Sequence, residues 1–192
     1  MCERGSIDGL KHKWCYKSYT PEGLIVMWKY EGAPRKLIAQ IKYEYVSDLA
    51  SELGEELAGF LKGYERSSLG CPLWAKDKFL VVPIPLHWKR KNWRGFNHTE
   101  EVARVLGSNM GWQVENLLER ARPTKTQVGL KGKERRKNIQ GVFGLSPGAL
   151  AFRDFEILLF DDVWTTGSTV LEATRVLKEA GFRRVWCLTL AR

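Results

Sequence analysis

The stretch from Ile157 to Thr169 reads I-L-L-F-D-D-V-W-T-T-G-S-T, and it decides how the chain is organised. Four apolar residues, Ile157 to Phe160, are apolar on both faces, as a central strand of a covered parallel sheet is. They run straight into two adjacent carboxylates, Asp161 and Asp162. Open α/β sheets place their ligands at this carboxyl end of the strand. Val163 and Trp164 follow, then hydroxyls around one glycine: Thr165, Thr166, Gly167, Ser168 and Thr169. Gly167 lets backbone approach a ligand closely. The first amides of the helix expected over residues 168–180 point at the same spot and suit a phosphate. A single Asp there would be an ordinary helix cap. Two adjacent acids followed by a run of hydroxyls exceed what a cap needs. Acceptors for sugar hydroxyls beside donors for a phosphate match ribose 5-phosphate.

Outward from this stretch, strands alternate with helices. Leu24 to Tyr30 reads as a strand broken by Glu31-Gly32-Ala33-Pro34. Helices are expected from Pro34 to Tyr43, with Leu37, Ile38 and Ile41 at helical spacing, and from Val46 to Lys62. Lys78 to Pro83 rises into a second buried strand, and Pro83 and Pro85 end it. A helix from Asn97 to Asn109 follows. Leu117 to Arg120 and Val142 to Leu145 read as short strands, and Arg184 to Leu190 as the closing one. The alternation predicts a mainly parallel α/β sheet with right-handed crossovers.

The chain has 192 residues, 44% of them apolar, which suffices for one cored domain with a small appendage. No run of 18 or more apolar residues occurs, so no membrane insertion is expected. The N-terminus lacks a charged-then-apolar leader pattern, and a cytoplasmic protein is expected. Four scattered cysteines do not form a disulfide framework. Cys2, His12 and Cys15 include metal-ligand spacing, but a structural zinc site wants four ligands, and these are three.

The net charge of +9 is concentrated. Trp88 to Gly95, with Lys89, Arg90, Lys91 and Arg94, carries +4; Arg120 to Lys137 carries +7; the remaining residues therefore sum to −2. Charge placed this way suits a polyanionic small molecule, a nucleic acid, or simply a solvated basic loop. Pro123 to Gly141 is long and polar, and long loops in compact domains are usually functional or disordered.

The Ile157 to Thr169 block resembles the phosphoribosyl pyrophosphate (PRPP) motif of type I phosphoribosyltransferases. The likeness narrows when V-P-I-P-L-H (Val82 to His87) and R-G-F-N (Arg94 to Asn97) are added. So does the run K-T-Q-V-G-L-x-x-x-E-R-R-x-N-I-x-G-x-F (Lys125 to Phe143). From about Leu24 to Arg192 the chain resembles the ComF family of competence-protein-F-like phosphoribosyltransferase homologues. The resemblance implies a type I phosphoribosyltransferase-like fold over residues 21–192, with a mobile basic loop. Residues 1–20 would be the remnant of a zinc-ribbon-like segment, with Cys2, His12 and Cys15 as an incomplete Zn2+ site. It also implies roles. Asp161 and Asp162 would hold the ribose hydroxyls of PRPP, and Thr165, Thr166, Gly167, Ser168 and Thr169 its 5-phosphate. Lys89, Arg90, Lys91 and Arg94 would meet pyrophosphate. Lys125, Arg135 and Arg136, on the closing loop, would stabilise its departure, with Mg2+ bridging substrate oxygens.

Two classes of function fit. One is an enzyme that moves the phosphoribosyl group from PRPP to a nitrogenous acceptor. Enzymes of 6-oxopurine salvage resemble E-D-x-x-D-T-G at this block, with an acid where Thr165 stands, so that acceptor class is not expected. The other is a binding module in DNA uptake, meeting single-stranded DNA or competence proteins. Trp88, Trp93 and Phe96 beside the basic residues would stack on unpaired bases. A sensor of PRPP or nucleotide is a third reading.

Overall fold

The computed structural model describes residues 19–43, 47–67, 79–86, 97–121 and 138–192. Five parallel strands form the central sheet: β1 (Leu24–Trp28), β2 (Phe79–Pro83), β3 (Gln113–Val114), β6 (Glu156–Val163) and β7 (Val185–Ala191). Their order across the sheet is β1-β7-β6-β2-β3. The expected short strands β4 (Leu118–Arg120) and β5 (Phe143–Leu145) pair antiparallel with each other, outside this sheet. The helices are α1 (Gly32–Tyr43), α2 (Ser47–Ser67), α3 (His98–Met110) and α4 (Ser168–Glu179).

Alternation along β6 explains why its sequence is apolar on both faces. Leu158 and Phe160 enter one core with Ile38 and Ile41 of α1, Leu57 and Leu61 of α2, and Val102 and Leu106 of α3. Ile157 and Leu159 enter the other, with Val170, Ala173 and Leu177 of α4 and with Phe143 of β5. Each residue pair on β6 thus buries one side chain on each face, at about 1.5–3 kcal/mol per fully buried large side chain. Close helix contact holds α3 in place. A Cβ added to Gly54 on α2 would lie 2.6 Å from Val105 Cβ on α3.

Two differences from the sequence expectation bear on the site. The central strand does not stop at Phe160 but continues to Val163, because β7 stays alongside: Asp161 is opposite Thr189 and Val163 opposite Ala191. The acid pair therefore lies in the last residues of the strand, not beyond it. On its other side β6 outruns β2, whose final residue Pro83 faces Phe160. The two-residue β3, with no clear pattern in the sequence, sits at the far edge beside β2.

Connections diverge at β2 and β6. The crossover from β2 through α3 leads to β3 on one side; the crossover from β6 through α4 leads to β7 on the other. That divergence opens a crevice outside the carboxyl ends of the two strands, where open α/β sheets bind ligands.

Candidate functional site

Neighbouring residues of a strand point to opposite faces. Asp161 and Asp162, though adjacent, consequently enter different surroundings. Asp162 turns to the face of α1, α2 and α3. Its Oδ2 is paired with Lys42 Nζ, from the last turn of α1, and lies 3.2 Å from His98 Nε2, from the first residue of α3. Its Oδ1 accepts the Val163 amide at 2.7 Å. Burial on its own pushes the Asp162 carboxyl up. The His98 hydrogen bond and the Lys42 charge overcome that and hold it well below the usual carboxylate range.

His98 is 4% exposed. Its other ring nitrogen, Nδ1, has no hydrogen-bond partner among the described residues. The residues on either side of His98 are held as well. Asn97, the N-cap position, sends Nδ2 to the Ile84 carbonyl at 3.4 Å and accepts Thr99 Oγ1 at 2.9 Å. The end of β2 and the start of α3 are thereby tied together at the acid pair.

Asp161 turns to the α4 face. Its Oδ1 accepts the Asp162 amide at 3.0 Å, and among the described residues it has no ion pair of its own. Burial, and then the charge of Asp162, push its carboxyl well above the usual range; Lys42 opposes them. The buried thiol of Cys187 on β7 is pushed up as well, by burial first and by Asp161 second.

After Val163 the chain turns over the indole of Trp164, which is 7% exposed and whose amide donates to the Ala191 carbonyl at 2.9 Å. Gly167 has φ +69°, and a Cβ there would stand 2.2 Å from Trp164 Cζ2. Both conformation and space require glycine. Gly167 is also the N-cap of α4 and brings no side-chain oxygen of its own; the Ser168 amide at the start of the first turn donates to Thr166 Oγ1 at 3.4 Å. Thr166 Oγ1 and Ser168 Oγ lie 2.9 Å apart, while Leu171 N–H closes onto the Gly167 carbonyl at 2.8 Å. Thr165 and Thr166 are exposed and Ser168 is buried. Neither aspartate caps this helix.

Asp161, Asp162 and the loop from Thr165 to Thr169 are thus brought together at the crevice. The proposed zinc ligands Cys2, His12 and Cys15 lie outside the described residues. So do Lys89, Arg90, Lys91, Arg94, Lys125, Arg135 and Arg136. The described flanks of the second basic segment rest beside α4. Ile139 is in the core, and the Gly141 amide donates to Glu172 Oε1 at 2.7 Å, a carboxylate also gripped by Arg175. Among the described residues no group of three His, Cys, Asp or Glu is placed to hold a metal ion. Among them, too, no helix is long and apolar enough to cross a membrane.

Sequence reading missed Lys42, His98 and Trp164. Lys42 and His98 come from helices read only for their apolar faces. Trp164 was read only as an apolar residue following the acid pair, and the glycine three residues on was the available signal.

No protein-family model matches the chain. It is 33% identical over 157 residues to the DNA utilization protein YhgH of Salmonella typhi, a match covering 79% of this chain and 65% of the relative. It is 33% identical over 113 residues to competence protein F of Haemophilus influenzae, covering 58% of this chain and 49% of the relative. The chain thus spans about half to two thirds of the length of these two relatives. With the DNA utilization protein YhgH of Escherichia coli (strain K12) it is 32% identical over 171 residues, 86% of this chain and 70% of the relative. Similarity of this extent to both YhgH and competence protein F places the chain in the ComF family.

Proposed function

We propose that this chain is a ComF-type module that works in DNA uptake or utilisation in the cytoplasm and binds PRPP at the carboxyl end of β6. The observation that carries the ligand assignment is the placing of an acid pair and a helix start with glycine at its N-cap on one crevice at the divergence of β2 and β6. Asp161 and Asp162 offer acceptors to the ribose hydroxyls. The amides of α4 and the hydroxyls of the Thr165 to Thr169 loop receive the 5-phosphate. The link to DNA is supported by the names of the relatives and by the two basic segments.

Magnesium fits this donor set only as a cation held mainly by ligand oxygens and water, since Asp162 is already engaged and Asp161 alone lacks a cationic partner among the described residues. When bound, it would neutralise diphosphate charge. Phosphoribosyl transfer is the second reading, favoured by the intact acid pair. In it the C1–O bond to diphosphate breaks, diphosphate leaves with the electron pair, and an acceptor nitrogen forms the new C1–N bond and loses its proton. The basic segment around Lys125, Arg135 and Arg136 would stabilise the leaving charge.

Calorimetric titration with PRPP and magnesium tests the ligand assignment. Wild type is expected to bind, and Asp161→Asn with Asp162→Asn to lose binding while keeping its far-ultraviolet spectrum. Unchanged affinity in the folded double variant removes the assignment. Single-stranded DNA titrated in parallel should bind with an affinity that falls steeply with salt.

A further inference from the structure

Asp162 is the more crowded of the two acids. A carboxylate offers about four acceptor positions. Lys42 and His98 take both on Oδ2, and the Val163 amide takes one on Oδ1. Ribose hydroxyls reaching Asp162 would compete with an ammonium for the same oxygen. Lys42 is suited to give way. Its side chain is 23% exposed, compared with 13% for Asp162, and it stands at the open end of the sheet, where its charge is felt by Asp161 too. An ammonium on a flexible four-carbon stem changes partners without the geometric loss that a guanidinium fork would suffer. His98 is different: buried on the first residue of α3, and with a short, rigid side chain, it has no comparable freedom.

We infer that Lys42 is a ligand-binding residue of this site, exchanging its pairing with Asp162 for the diphosphate of PRPP as the ribose hydroxyls take up the carboxylate. The inference rests on the PRPP reading above and adds a binding cation from α1, about 120 residues away from the acid pair in sequence. Exchange keeps the charge balanced. Asp162 trades an ammonium for hydroxyl donors, and the ammonium moves to an anion the ligand brings with it, a charge-assisted contact on the new partner.

The test compares two probes on wild type, Lys42→Met and Lys42→Arg. One is PRPP with magnesium; the other is ribose 5-phosphate, which lacks the diphosphate. Lys42→Met should weaken PRPP by about tenfold or more, the scale of a hydrogen bond to a charged group. It should leave ribose 5-phosphate as tight as in wild type or tighter, because the competitor for Asp162 is gone. Lys42→Arg should recover part of the PRPP affinity. Proportional weakening of both probes would overturn the inference and make Lys42 a prop for Asp162; so would unchanged PRPP binding by a folded Lys42→Met. Failure of wild type to bind either probe would show before any variant is compared, and would remove the PRPP reading and this inference with it.

Discussion

The two faces of the strand end at Asp161 and Asp162 are built on different principles. On the α4 face the site is held by shape. Trp164 is packed under Gly167, a glycine of positive φ begins the helix, and Asp161 has no ion pair among the described residues. On the face of α1 to α3 it is held by charge, with Lys42 and His98 converging on Asp162 from two helices. One residue of strand separates the two arrangements. A D-D pair on a strand is therefore not a doubled acid. It is one carboxylate aimed at each face, and each face sets what its acid can do.

The largest expected effect is on the face held by shape. Gly167→Val puts a branched side chain where even a Cβ would meet Trp164 at 2.2 Å, at a φ that valine avoids. Stability should fall by about 3 kcal/mol or more, combining backbone strain with overpacking. Urea unfolding measures it, and the loss should not change between low and high salt. A loss that shrinks in salt would mean that charge contributes on this face too.

Next in size is the face held by charge. Asp162→Asn keeps an acceptor for His98 but removes the negative partner of Lys42. Breaking a buried pair costs about 3–5 kcal/mol when the remaining charge stays buried. Lys42 reaches solvent, so about 1–3 kcal/mol is expected here. Asp161→Asn should cost nothing at neutral pH, and equal losses from the two substitutions would end the distinction between the faces. Acid should separate them as well. Asp162 is held below its ordinary range, so its stabilisation is present above the unfolded value of about 3.9 and is lost as pH falls through the depressed folded value. The wild-type denaturation midpoint should drop in strong acid more than that of Asp162→Asn.

The same division decides what could be read in the sequence. The Asp161 side is contiguous. The apolar run from Ile157 to Phe160, the acids, Gly167 and the helix start lie within one short stretch, so local pattern and turn chemistry reveal them together. The alternating strands and helices pointed to the parallel sheet for the same reason, with Ile38 and Ile41 reporting core by helical spacing and Val81 and Leu158 by their unbroken apolar runs. Lys42 and His98 could not be found that way. Each is a polar residue on an otherwise ordinary amphipathic helix, and only the crossing of α1 and α3 over the end of β6 joins them to Asp162. The overrun of β6 past β2 was equally hidden, since a strand continues through two acids only because β7 runs beside it.

The smallest expected effect is the sharpest test of the contrast. Burial and the neighbouring charge of Asp162 raise the Asp161 carboxyl in the folded chain, with Lys42 opposing. A raised carboxyl means that the folded state binds more protons than the unfolded one. Its contribution is then fully present in acid and is lost as pH climbs from about 3.9 through the raised folded value. That slope is opposite in sign to the one expected from Asp162. Asp161→Asn removes it. The variant should match wild type near pH 3, where both side chains are neutral. It should become the more stable of the two toward pH 7, by on the order of 1 kcal/mol, the scale of one incompletely compensated buried polar group. Denaturation midpoints measured across that range read the difference directly. If instead wild type gains on the variant as pH rises, Asp161 holds a cationic partner on the α4 face, and that face is held by charge as well as by shape.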